Sequence, residues 1–369
     1  MITLALDELT AAQYPAAFEA TGPGFYSSLL TISIEQSQAR GQVVTQQLGA
    51  SRLAGRPAVR LQGVEPSPIA YDKDGKSVLE PKTRRAPPAV DTRWSLWVLG
   101  TGLFAKSGAL DSVPNYRFNT GGFLVGGDYS RNESFLTGLF GGYEGTEANY
   151  ANSGRTQSNA FRFGIYGSYS TGGFYSNTIV GAAITGYDPD RPIEWTGFQR
   201  DADSKPSGGE FFSLLALGYD WTLGNFTFGP SVSAQYTYLG IGSFTESGAD
   251  SLNLRVSSFD TNSFRSYIGG HIAYTWSITN TIRLIPEVRM FWQHEFLQDP
   301  SDIYAALEGG AGPEFFYRTS DPSRDAVFCG AGVILQLGEH VAANAYYNAD
   351  FGRSNLVYHL VSAGLELKF

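Results

Sequence analysis

The last fourteen residues, Leu356 to Phe369, alternate strictly enough to constrain everything before them. Val357, His359, Val361, Ala363, Leu365, Leu367 and Phe369 share one face, and Ser362, Gly364, Glu366 and Lys368 share the other. Period-two alternation marks a strand with two unlike faces. Left at an open edge, such a strand offers a row of unpaired N–H and C=O groups that template aggregation. Closing the sheet into a barrel removes the edge. A barrel set in lipid also explains the two faces, apolar toward hydrocarbon and polar toward a wet lumen.

Composition agrees. Aromatics make up 14% of the 369 residues, charged residues only 17%, and there are 44 glycines, a mix that suits β-structure with aromatic girdles. Mean hydropathy is −0.16, and no uncharged apolar run approaches the roughly 18 residues of a spanning helix. If this chain crosses a membrane, it must do so as a closed barrel, because only helices and barrels satisfy their backbones in lipid. The net charge of −9 argues against a nucleic-acid partner, which needs basic patches. The single Cys329 excludes an intramolecular disulfide framework and a Cys-based zinc site. No cofactor or metal is expected. The opening run Met1 to Asp7 meets acid before any long apolar stretch, so no signal peptide is read and the start of the full product is expected upstream.

From Trp94 onward the chain reads as twelve alternating segments, at 94–104, 118–130, 134–147, 158–170, 173–186, 210–222, 225–240, 263–277, 281–297, 326–338, 341–352 and 356–369. In the ninth, Ile282, Leu284, Val288, Met290, Trp292 and Phe296 oppose Arg283, Glu287, Arg289, Gln293 and Glu295. A face with three charges in mid-strand cannot pack into the dry core of a sandwich without severe desolvation cost. It can face a hydrated lumen. The polar residues assigned to that lumen are Arg283, Glu287, Arg289, His271, Asn344 and Asp350, with Tyr267 beside them; none is assigned a catalytic role.

The connections alternate too. Tight turns at Arg131-Asn132-Glu133, Thr171-Gly172, Leu223-Gly224, Ile278-Thr279-Asn280 and Gly338-Glu339-His340 interleave with loops at 105–117, 148–157, 187–209, 241–262 and 298–325. Short turns on one side and long loops on the other are the asymmetry of an outer-membrane barrel. The last outer connection, 352–355, is unusually short. Residues 25 to 54 lack Pro and are helix-compatible, interrupted only by Gly41 and Gly49. Such a helix extends about 45 Å, enough to thread a membrane barrel. Its Gln, Ser and Thr surface would lie in a polar lumen without burying bare ions. The organisation is therefore 1–55, a linker with a pore-spanning helix; 56–93, a Pro-rich extended tether; and 94–369, an all-β, twelve-stranded antiparallel transmembrane β-barrel.

In this order the pieces resemble an autotransporter β-domain, the translocator of a type V secretion system. The resemblance runs from about Ala5 to Phe369. It is carried by Leu4-Ala5-Leu6-Asp7-Glu8-Leu9 with Tyr14, Tyr116-Arg117-Phe118 leading to Gly126-Gly127-Asp128-Tyr129, and Gly138 to Tyr143. It continues through Gly164 to Tyr169 with Gly173-Phe174-Tyr175, and Pro286 ahead of Trp292-Gln293-His294-Glu295-Phe296. The resemblance implies export and surface anchoring of an N-terminal passenger, absent from this chain, at the bacterial outer membrane. Implied partners are outer-membrane lipid and lipopolysaccharide, the barrel-assembly machinery and the chain's own passenger. The final strand, through Ser362, Gly364, Leu365, Leu367 and Phe369, resembles the signal that the insertion machinery reads. Family members that cut their own linker by Asn cyclisation need an Asn there. The first Asn here is Asn115, so the linker is expected to stay uncut.

Two rivals remain at this level. A plugged, porin-like channel without a passenger would share the barrel and the pore segment. An outer-membrane hydrolase would need a His beside Ser or Asp at the rim. Of the four histidines, His271 faces the lumen, His294 and His359 face outward, and His340 lies in a turn. Asp188, Asp190, Asp201, Asp203, Asp299, Asp302, Asp321 and Asp325 lack EF-hand spacing and read as solvated outer loops.

Overall fold

The computed structural model describes residues 10–11, 13–55, 93–109, 113–297, 299–308, 313–319, 323–353 and 355–369. The tether at 56–93, Arg93 excepted, and the Leu4 to Leu9 motif lie outside them. Twelve long strands form the barrel. They are β1 (Trp94–Ser107), β2 (Tyr116–Ser130), β3 (Phe135–Tyr150), β4 (Arg155–Thr171), β5 (Phe174–Trp195) and β6 (Ser207–Tyr219). Then come β7 (Phe226–Ile241), β8 (Phe259–Tyr274), β9 (Ile282–Glu295), β10 (Asp325–Leu337), β11 (Val341–Phe351) and β12 (Leu356–Lys368).

Each strand pairs antiparallel with its sequence neighbours, and β12 returns to β1 in a register from Leu356 with Ser107 to Lys368 with Ser95. Phe369 extends the seam, exchanging backbone hydrogen bonds of 2.8 and 3.1 Å with Trp94. Closure leaves no strand edge in the wall, as lipid requires. The outward face carries exposed Leu96, Leu139, Phe163, Ile165, Met290 and Leu365, a continuous apolar surface that would be an aggregation liability in water. Around the tight-turn end stand Trp94, Tyr129, Trp221, Phe226 and Trp276, placed as an interfacial girdle.

The segment ahead of the barrel is more structured than its sequence indicates. A short helix, α1 (Tyr14–Thr21), not anticipated from the sequence, leads through a 3-10 turn (Pro23–Tyr26) into α2 (Ser27–Leu53). Ser28, Ser37, Gln38, Val44 and Leu48 are all buried, so α2 is enclosed on every side. A helix with no continuous apolar face is unstable alone; here the wall supplies its partners, and packing overrides the low propensity of Ile32, Ile34, Val43 and Val44. Gly41 marks a close approach, since a Cβ there would sit 2.1 Å from Gln235 Oε1. The helix ends at Ala54, followed by Gly55 at φ 87°, the left-handed stop that glycine favours.

The outer loops carry more regular structure than the sequence indicates, while Asp188, Asp201, Asp203, Asp299 and Asp325 are exposed as read. β5 runs beyond 186 to Trp195 and folds back on Phe198–Asp203. Phe244–Thr245, Leu254–Val256, Asp302–Leu307 and Phe315–Arg318 form a four-stranded sheet of their own. The reason is apolar packing. Leu254, Val256, Ile303 and Ala305 of that sheet join the main core, with Phe244 and Phe315 against it. Ile193, Ala202, Ala249 and Leu252 form a separate cluster, with Trp195 and Phe198 against them. These residues are interspersed with acids in sequence, which masked the pattern. The connection at 352–355 is as short as the sequence showed, and it turns Arg353 into the lumen.

Candidate functional site in the barrel lumen

The lumen is filled by α2, which enters from the long-loop end and reaches the tight-turn end. Hydrogen bonds mark its path. Ser28 Oγ meets Tyr150 OH at 2.6 Å, Ser33 Oγ meets Tyr187 OH at 2.8 Å, and Ser37 Oγ meets Thr237 Oγ1 at 3.1 Å. Gln38 Nε2 donates to Ser263 at 3.2 Å, Asn344 Nδ2 donates to Gln47 at 2.8 Å, and Ser51 donates to Glu366 at 2.9 Å. These partners, neutral except for Glu366, come from inward positions of alternating strands, which is why polar residues recur at period two along the wall.

Two charged side chains of α2 are fully buried, and each meets an opposite charge. Glu35 accepts from Arg265 at 2.9 and 3.2 Å and from Arg353 at 2.6 and 3.1 Å. Arg265 also reaches Glu295 at 3.1 Å, and Arg353 reaches Asp350 at 2.6 Å. Further along, Arg40 Nε donates to Glu144 at 2.5 Å. Glu144 is shared with Arg162 at 2.7 Å, and Arg162 pairs with Glu210. Buried charges persist only when paired and hydrogen-bonded. The helix thus buries two charges and neither is bare, since each lies inside a cluster that holds an opposite charge.

At the tight-turn end His271 lies between Glu287, 2.9 Å from Nδ1, and Asp220, 3.0 Å from Nε2. Tyr346 OH donates to Glu287 at 3.0 Å, and Arg289 lies over the Tyr346 ring at 4.8 Å. Arg52 of α2 donates to Asp220 at 2.9 Å and stacks 3.6 Å above Tyr175. The helix terminus is held through its carbonyls: Arg283 donates to Ala54 O and Lys368 to Gly55 O, both at 3.0 Å, the cation placement a helix C-terminus favours. At the opposite end, outside the wall, Arg191 grips Glu246 at 2.6 and 2.8 Å and Ala20 O at 2.6 Å, while Tyr26 donates to the same Glu246. Burial, then the Glu246 charge, pushes the Tyr26 phenol well above its usual range.

The inward residues read from the sequence are therefore placed as follows. Arg283, Glu287, Arg289 and His271 gather at the tight-turn end, Asn344 contacts α2 directly, and Asp350 belongs to the Glu35 cluster. Ser362 and Glu366 of β12 turn inward and are buried, while Leu365, Leu367 and Phe369 are exposed on the outer face. Sequence reading missed Arg265, Arg353, Glu144, Arg162, Glu210, Glu35 and Arg40. A signal was present: Glu35 and Arg40 are the only charged residues between Ser27 and Ser51. Outside the lumen His294 contacts Asp325 at 2.9 Å and His359 contacts Tyr347 at 2.7 Å. Among the described residues no group of three or more His, Cys, Asp or Glu is arranged to hold a metal.

A family model described as autotransporter beta-domain matches residues 96–348. Among solved structures, the chain resembles the translocator domain of autotransporter NalP from Neisseria meningitidis, with TM-score 0.60 at 12% identity over 75% of this chain and 89% of that one. It also resembles the beta domain of the Bordetella autotransporter BrkA, with TM-score 0.56 at 18% identity over 75% and 100%. The transport unit of AIDA-I from Escherichia coli gives TM-score 0.50 at 14% identity over 79% and 94%. No curated protein matches the chain by sequence.

Proposed function

The chain belongs to the autotransporter β-domain family, and from that premise we propose how its parts divide the work of export. The domain is the outer-membrane translocator of an autotransporter, supporting export and surface anchoring of a passenger attached N-terminally. The observation that carries the reading is the direction of α2. The chain passes from Tyr26 at the long-loop end down to Arg52 beside the tight turns. Whatever precedes Tyr14 is therefore delivered to the loop side, the outer face of such a barrel.

In this reading the organisation is 1–55 as linker, 56–93 as the tether that returns to β1, and 94–369 as the membrane unit. Arg283, Glu287, Arg289, His271, Asn344 and Asp350 keep the lumen polar and hold the linker. Ser362, Gly364, Leu365, Leu367 and Phe369 form the signal read by the barrel-assembly machinery, and the outer girdle meets lipid and lipopolysaccharide. The family is one of secretion domains rather than enzymes, and we assign the chain no catalytic residue. Direction of transport then comes from passenger folding outside, with no nucleotide or membrane potential required.

The test is a fusion, ahead of residue 1, of a signal peptide and a reporter that stays unfolded until export, expressed in a Gram-negative host. Reporter accessible to external protease in intact cells is the expected result; reporter retained in the periplasm beside a correctly folded barrel refutes the assignment. Because no Asn precedes Asn115, reporter and barrel are expected to remain one polypeptide in purified membranes.

A further inference from the structure

Most contacts between α2 and the wall do not specify where the helix stops. Gln and Asn side chains both donate and accept, and Ser and Thr hydroxyls rotate to suit either role. A Gln-rich helix displaced by one turn, about 5.4 Å, would find equivalent hydroxyls and amides at the next level. Two fully buried contacts are not interchangeable, and a partly buried one, Arg52 with Asp220 at the tight-turn end, adds to them. Glu35 fits only a cationic socket, and Arg40 only an anionic one.

The sockets are arranged to exploit this. The cationic one, Arg265 with Arg353, comes from β8 and the connection after β11. The anionic one, Glu144 with Glu210 bridged by Arg162, comes from β3, β6 and β4, the other side of the strand order. Residues five apart on a helix point to opposing sides and lie about 7.5 Å apart along the axis. Glu35 and Arg40 therefore reach both sockets at one depth and one rotation. A slip of one turn withdraws both charges from their partners into a low-dielectric interior, where an unpaired ion is costly. A half rotation is worse, since it points Glu35 toward Glu144 and Glu210 and Arg40 toward the two arginines.

We propose that Glu35 and Arg40 form a register key that sets the depth and rotation at which the linker comes to rest in the pore. The proposal deepens the translocator assignment and rests on it for its biological meaning: the key defines which residue stands at the outer mouth when export ends. The physical claim concerns the resting chain alone and is tested without any passenger.

The full chain, with the lipid-facing Cys329 replaced by Ala, is refolded in detergent and carries one of two cysteine pairs. Ser37→Cys with Thr237→Cys reports the observed register, because the native hydroxyls are 3.1 Å apart. Ser33→Cys with Thr237→Cys reports a slip of about one turn toward the tight-turn end. The parent should crosslink through the first pair only. Glu35→Gln with Arg40→Gln should lower that yield severalfold and, for slips in that direction, raise the second. Glu144→Gln with Arg353→Gln, which leaves the helix untouched, should do the same. Barrel folding is followed in each by the shift in gel mobility on heating. Undiminished crosslinking at 37–237 in folded variants overturns the proposal, because the neutral contacts and the charged contacts at the helix terminus would then set the register. Loss of the folded barrel in both variants also overturns it, since the charges would then serve assembly rather than register. If the crosslinks behave as expected while the reporter fusion stays in the periplasm, the key stands and the translocator assignment falls.

Discussion

Replacing Glu35 by Gln should unseat the helix by an amount that the geometry allows to be worked out. The carboxylate accepts four bonds, two from Arg265 and two from Arg353. Glutamine keeps one acceptor oxygen and turns the other into a donor that faces guanidinium N–H groups, so about two charge-assisted bonds are lost. At about 1.5–3 kcal/mol each, the gross loss is roughly 3–6 kcal/mol. The arginines are not left bare, because Arg265 keeps Glu295 and Arg353 keeps Asp350. The net cost should fall near 3–4 kcal/mol, within the range of about 3–5 for breaking a buried pair. Arg353→Gln should cost more. It removes the partner of both Glu35 and Asp350 and leaves Glu35, Glu295 and Asp350 facing Arg265 alone.

The assay is single-channel recording of the refolded chain in planar bilayers, where each departure of α2 opens the pore. At tenfold in open fraction per 1.4 kcal/mol, Glu35→Gln should raise it roughly 100- to 1000-fold. Gln38→Ala, which removes two neutral contacts at 3.2 and 3.4 Å, should raise it only about five- to tenfold, from roughly 1–1.4 kcal/mol in all. An open fraction for Glu35→Gln within about threefold of the Gln38→Ala value would refute the reasoning, as would an Arg353→Gln effect smaller than that of Glu35→Gln.

Gly41→Ala should destabilise seating by about 1 kcal/mol, because crowding Gln235 and Leu214 costs more than the roughly 1 kcal/mol gained in helix propensity; the same recordings check it, and a lower open fraction counts against it. Deleting Phe369 removes the backbone pair with Trp94 that ends the β1–β12 seam, and should reduce the heat-modifiable folded fraction while molecules that do fold keep parental conductance. In the loop sheet, two hydrogen bonds from Arg318 hold the Asp302 carboxyl below its usual range. Its contribution is therefore present above the unfolded value of about 3.9 and is lost as pH falls through the lower folded value. A carboxyl NMR titration should show that lowered midpoint, and Arg318→Ala should return it toward the ordinary one.

Alternation of inward and outward residues along 94–369 was legible because each strand meets two solvents at once, and period-two patterning records that directly. The strand order, the seam from Trp94 to Phe369 and the occupied lumen follow from that pattern with the alternating connection lengths. Arg283, Glu287 and His271 could be assigned inward for the same reason, from their neighbours alone. The packing of the outer loops could not, because Ile193 and Ala202 of one loop meet Ala249 and Leu252 of another and show no local period. The partners of Glu35 and Arg40 were equally out of reach. Arg265 and Arg353 lie 230 and 318 residues from Glu35, and Glu144 lies 104 from Arg40. One-dimensional periodicity reports the face on which a charge lies, whereas pairing depends on barrel registration, helix depth and helix rotation together. The sequence by itself determined that a polar helix and a polar wall belong to one barrel; only the closed tertiary structure decided which charges on them meet.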